Sequence, residues 1–171
     1  MIVTIGGSVG SGKSTLAREI SSRFDLKHIS AGVIMREMAR EKGMDLLEFS
    51  RFAEENPQID REIDDRQKEM AKGNCVAEGR LSTHFLKADI SVWLTAPLDV
   101  RATRVAYREK ISPGEAKKRI IKREASERKR YKEFYNIELD DMSKYDLILN
   151  AGKFDIDATA RIVSLAIEQI I

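Results

Sequence analysis

The residues best placed to do chemistry lie near the start of the chain. Gly7-Ser8-Val9-Gly10-Ser11-Gly12-Lys13-Ser14 follows the pattern G-x-x-x-x-G-K-[ST] in full, with Thr15 next. Glycines permit backbone angles that a Cβ forbids and let amides approach an anion closely. Successive N–H groups of such a loop form an anion nest. A helix opening near Lys13 would add the positive end of its dipole. This pattern suits the phosphates of ATP. Gly7 to Thr15 would wrap them, Lys13 would reach the β- and γ-phosphates, the Ser14 hydroxyl would ligate Mg²⁺, and Thr15 would lie by the α-phosphate.

Further groups suit a second, anionic substrate. Ser30-Ala31-Gly32, with Arg36 one turn on, reads as a turn opening a helix beside a forked cation, an arrangement for a second phosphate. The same residues also describe a helix cap and a surface arginine. Glu78-Gly79-Arg80 closes an apolar run, putting Glu78 within a water of Mg²⁺ and Arg80 towards the acceptor, or else forming a strand-end charge pair. Asp60 and Asp64 are spaced i,i+4 with Gln67 a turn later, suited either to reading a base or to the dipole of their own helix.

Net charge is +2, but Arg101 to Lys132 holds thirteen basic residues against four glutamates, so this segment is +9 and the remainder −7. Such a concentrated field suggests an anionic ligand. Arg119, Arg123, Glu127 and Arg130 fall on one face if the segment is a helix. Arginines there would stabilise the oxygens of a transferring phosphoryl group once water is excluded. A solvated helix with i,i+4 ion pairs fits the same spacing. A nucleic-acid-binding helix fits less well, because only Tyr107 precedes Tyr131 and stacking surface is scarce.

These residues need elements to hold them. Strands are predicted at Ile2–Ile5, His28–Ser30, Asn74–Glu78, Ile90–Leu94 and Leu147–Asn150. Helices alternate with them, including Val33–Lys42, Leu46–Glu54, Gln58–Lys72, one with Pro97 in its first turn, Pro113–Phe134, and a last one capped by Asp155. Strands alternating with helices give an α/β fold with a parallel five-stranded sheet covered on both faces, a three-layer α/β/α arrangement. The 171 residues suit one domain. Ligands bind beyond the carboxyl ends of such strands.

Together these residues resemble the nucleoside monophosphate kinases, a P-loop NTPase family, and most closely the short archaeal-type cytidylate kinases. Beyond the phosphate loop, the resemblance rests on Ser30-Ala31-Gly32 with Arg36, on Glu78-Gly79-Arg80, and on Arg123-Glu-Ala-Ser-Glu-Arg-Lys-Arg-Tyr131-Lys-Glu-Phe-Tyr135. It covers essentially the whole chain. It implies phosphorylation of CMP and dCMP by ATP with Mg²⁺, a core, a helical monophosphate-binding insertion at about 31–72 and a mobile basic helical lid at about 108–135. It implies acceptor binding by Ser30, Gly32, Arg36, Arg80 and Arg130, and catalytic roles for Lys13, Arg80, Arg123 and Arg130. In longer relatives an Asp follows the D-G-R motif and helps to read cytosine. Leu81 stands there in this chain, which leaves Asp60 and Asp64 as candidates. Asn150 to Lys153 falls where the family cradles adenine.

Other small-molecule acceptors, such as shikimate or gluconate, share the phosphate loop. No Asn-Lys-x-Asp guanine-reading motif is present, which argues against a signalling GTPase. The single Cys75 is expected to be a buried strand residue, and neither His28 nor His84 has an evident partner in the sequence. No run approaches the roughly 20 apolar residues of a membrane span, and the N-terminus lacks a signal-peptide pattern. The expectation is a cytoplasmic monomer that binds small molecules, with no nucleic acid and no membrane partner.

Overall fold

The computed structural model describes residues 1–171, and the side chains of all but Leu46 and Leu47. Five runs rich in β-branched and apolar residues pair as strands β1 (Ile2–Gly7), β2 (Lys27–Ser30), β3 (Cys75–Glu78), β4 (Ile90–Thr95) and β5 (Leu147–Asn150). They form one parallel sheet in the order β2-β3-β1-β4-β5. The parallel five-stranded sheet read from the sequence is therefore present. All carboxyl ends lie along one edge, and the loop after the central β1 opens at its middle.

Eight helices connect and cover the strands: α1 (Lys13–Arg23), α2 (Ala31–Glu41), α3 (Leu46–Glu55), α4 (Gln58–Met70), α5 (Ser82–Phe85), α6 (Leu98–Glu109), α7 (Pro113–Tyr135) and α8 (Ile156–Glu168). Leu16 and Ile20 of α1, with Val163 and Ile167 of α8, pack on Val3, Ile5, Val92 and Leu94 of the sheet. On the opposite face Thr83 of α5 donates to Thr4 at 2.9 Å, and Thr4 to Ser91 at 3.2 Å. These hydroxyls satisfy one another where the strands are too buried for water.

The segment between β2 and β3 builds its own cluster: Ile34, Met38, Phe49, Ala53, Ile59 and Ile63 close on Ile29 and on the buried Cys75. Ser30 caps α2, accepting from Val33 N at 3.2 Å, and Asp155 caps α8, accepting from Ala158 N at 2.8 Å. The first half of α7 lies on α6, with Ala116 and Ile120 against Ala102, Val105 and Ala106. Its second half runs to Tyr131, which packs with Leu81 and Leu139. The sequence reading missed α5, a single turn too short for a periodic pattern, and ended β1 two residues early because Gly6 and Gly7 resemble loop.

Candidate active site

Gly7 shows why the loop needs its glycines. Its φ is +148°, and a Cβ there would stand 2.4 Å from the Leu94 carbonyl oxygen. Gly12, at φ +103°, caps α1 without a side chain, and no acidic residue occupies the first turn. The positive end of α1 thus faces the loop without a carboxylate of its own helix opposing it. Lys13 Nζ folds back over the loop and donates to the Gly7 and Ser8 carbonyls, both at 3.0 Å. Burial and then the Arg80 guanidinium lower its pKa to about 7, against a smaller opposing effect of Glu78.

The end of β3 joins the first phosphate loop to the second turn. Glu78 Oε1 accepts from Ser14 Oγ at 2.8 Å and from Ser30 Oγ at 2.5 Å. Glu78 is buried, and Gln67 of α4 braces the strand end, donating to the Glu78 carbonyl at 3.1 Å and accepting from Ser82 Oγ at 2.8 Å. His28 Nε2 lies 3.9 Å from Glu78 Oε1, beyond hydrogen-bond distance, because β2 and β3 are neighbours, and burial lowers the pKa of the ring. Across the turn, Arg36 Nη1 lies over Gly32, 3.7 Å from where its Cβ would be, so Ser30, Gly32 and Arg36 meet at the start of α2.

The charges of α7 divide between site and solvent. Arg123 Nε donates to Glu127 Oε1 at 2.7 Å, and Arg80 Nη2 lies 2.8 Å from Glu127 Oε2. Against the cost of burial, Arg80 and Arg123 hold the Glu127 pKa down to about 2. Arg130 Nε donates to Asp60 Oδ2 at 2.9 Å, and Tyr135 OH donates to Asp64 Oδ2 at 3.0 Å. Burial raises both aspartates, Asp64 to about 7, while Arg130 opposes the rise at Asp60. The face expected to carry Arg119 with the others does not hold together. Arg119 sits within the α6 contact, between Ala116 and Ile120, and is engaged by acidic neighbours there: it pairs with Glu115 at 2.9 Å and lies 3.7 Å from Glu109 of α6.

Three further residues take part: Glu124, read from the sequence only as an acidic position of the lid run, and Arg101 and Arg104, which the sequence did not single out. Glu124 Oε1 accepts from Val9 N at 3.0 Å, Arg101 Nη1 at 2.9 Å and Arg80 Nη2 at 3.3 Å. Arg101 also donates to the Val9 and Ala96 carbonyls, at 3.0 and 2.9 Å. Arg104 spans from Ser11 O at 3.2 Å to Ala151 O at 2.7 Å, tying the first loop to the turn after β5. For Arg101 and Arg104 the only signal was the excess of positive charge from residue 101 onwards, which does not single out individual positions. Among the described residues no group of three or more His, Cys, Asp or Glu could hold a metal ion, and no helix is long and apolar enough to cross a membrane.

Comparison with known proteins gives concordant results. The model of the cytidylate kinase-like family matches residues 2–153. A cytidylate kinase of Methanocaldococcus jannaschii is 52% identical, covering 99% of each chain. One of Pyrococcus horikoshii is 49% identical over 99% of this chain and 90% of its own. Among solved structures, a shikimate kinase from Acinetobacter baumannii superposes with a TM-score of 0.63 at 15% identity, covering 98% of this chain and 93% of its own. An uncharacterized protein from Eubacterium ventriosum does so with a TM-score of 0.70 at 20% identity, covering 98% of each. At these identities the structural likeness speaks for the fold.

Proposed function

Since the chain belongs to the cytidylate kinase-like family, we propose that it transfers the terminal phosphoryl group of ATP to CMP and dCMP, giving ADP and the diphosphate. One observation carries the reading in atomic terms. The hydroxyls of Ser14, on the ATP loop, and of Ser30, on the acceptor turn, both donate to one oxygen of Glu78. Two phosphate-binding turns held on one carboxylate bring donor and acceptor phosphates together, as a direct transfer requires.

Lys13 and the loop amides hold the ATP phosphates, with Arg104 crossing between the loop and the turn at Ala151, where adenine would lie. Ser30, Gly32 and Arg36 receive the acceptor phosphate, and Arg80 and Arg130 orient it. An acceptor phosphate oxygen bonds to the γ-phosphorus as the bond from that phosphorus to the bridging oxygen breaks. The attacking oxygen is already anionic, so no general base is needed. Lys13, Arg80, Arg123 and Arg130 supply positive charge around the transferring group. Asp60 and Asp64 stay as candidates for the base, now placed beside Arg130 and Tyr135.

Mg²⁺ fits this site. One hydroxyl, Ser14, beside the buried Glu78 carboxylate suits an ion held mainly by phosphates and water. When bound, the ion neutralises charge on the β- and γ-phosphates. We assign the monophosphate-binding insertion to residues 31–72 and the lid to 108–135. The test is ADP release with ATP and Mg²⁺ against CMP, dCMP, UMP, AMP, GMP and dTMP. Preference for CMP and dCMP supports the proposal; a preference for AMP or UMP, or no turnover with any of the six, rejects it.

A further inference from the structure

The contacts of Glu124 have a chemical meaning of their own. One carboxylate oxygen collects an amide N–H of the phosphate loop and two guanidinium donors, from Arg101 and Arg80. Amide and guanidinium donors converging on one anionic oxygen are what a phosphoryl oxygen meets in such a loop. We propose that Glu124 is a built-in phosphate mimic: its carboxylate holds the place of a terminal phosphoryl oxygen on Val9 N–H and must be displaced when ATP binds. The proposal rests on reading Gly7 to Thr15 as the ATP loop.

The neighbouring glutamate explains how displacement leaves the site ordered. Glu127 holds Arg80 through its other oxygen at 2.8 Å and is nearly sealed, with 5% of its side chain exposed against 20% for Glu124. Glu124 is thus the one that can swing to water, while Glu127 keeps Arg80 aimed at the vacated donor position. Arg101 remains fixed by the Val9 and Ala96 carbonyls. Because Glu124 stands on α7, its exchange for phosphate couples ATP binding to the position of that helix. Its competition lowers affinity for polyphosphate and not for the nucleoside.

The measurement is calorimetric binding of ATP, pyrophosphate and adenosine, without acceptor, to the wild type, Glu124→Gln and Glu124→Ala. Losing a charge-assisted competitor is expected to tighten ATP and pyrophosphate by about tenfold or more in both variants. Adenosine affinity is expected to be unchanged. ATP and pyrophosphate binding unchanged or weakened in both variants overturns the proposal, making Glu124 a clamp on the loop and not a competitor. With no acceptor present, an error about CMP would leave this result intact. Conversely, a CMP kinase whose variants bind polyphosphate no tighter would retain its function and lose the mimic.

Discussion

Arg130 Nε and Asp60 Oδ2 stand 2.9 Å apart although 70 residues separate them in the chain. This pair ties the second half of α7 to α4, and so the basic helix to the segment between β2 and β3. The guanidinium is largely buried, with 13% of its side chain exposed. It is held in a fixed direction before any substrate arrives, which is what a group aimed at developing charge needs.

Arg130→Ala is expected to lower kcat by on the order of 10³-fold, if it serves as arginine fingers do. Asp60→Asn keeps the cation and loosens its aim, so its loss is expected to be smaller. Steady-state kinetics of both variants check this. A kcat near wild type for Arg130→Ala removes the residue from the transition state.

Lys13→Ala is expected to lose most turnover. A second signature follows from the lysine's environment. With its pKa lowered to about 7 by burial and by Arg80, Lys13 is partly neutral near pH 7. Bound phosphates favour the charged form, so ATP binding is expected to take up a fraction of a proton, roughly half at pH 7. Calorimetry in buffers of different ionisation enthalpy reads this uptake. It should vanish in Lys13→Met, and an equal uptake in that variant would assign the proton elsewhere.

Glu127→Gln is expected to destabilise the fold by about 3 kcal/mol, because it leaves Arg80 and Arg123 facing each other without their shared counter-ion. The pH dependence has a definite sign. The folded pKa is depressed to about 2 from an ordinary 4.5, so the stabilisation is present above 4.5 and fades as pH falls towards 2. Urea unfolding at pH 7 and pH 3 should therefore show a smaller gap between wild type and variant in acid. A gap of constant size contradicts the assignment.

Asp64 works in the opposite direction. Burial raises its pKa from 3.8 to about 7, so the folded state binds this proton more tightly than the unfolded state. Its contribution is fully present below 3.8 and is lost as pH rises through 7. Relative to Asp64→Asn, the wild type should gain stability as pH falls from about 8 to 5. Parallel stability curves for the two proteins over that range would show that Asp64 stays charged in the fold.

The phosphate loop and the five strands were legible because each is a local pattern. The loop's glycines and Lys13-Ser14 act through a few adjacent residues, and apolar β-branched runs such as Ile2–Ile5 and Ile90–Leu94 report burial without any partner being known. Cys75 as a buried strand residue followed in the same way. Arg80, Arg123, Glu127 and Arg130 were named from local motifs, but the bonds that join Glu124 to Arg80 and to Val9 were not legible, since these partners are 44 and 115 residues away in the chain.

By itself, then, the sequence determined an α/β chain with an ATP-type phosphate loop and a concentrated positive segment. The tertiary structure alone decided which charges of that segment face the loop. Ala116 and Ile120 seat α7 on α6, and that packing fixes its rotation: Glu124 meets Val9, Glu127 meets Arg80, and Arg119 is left with Glu115 near solvent. A run of charge gives a sum; only a packed helix gives each charge a direction.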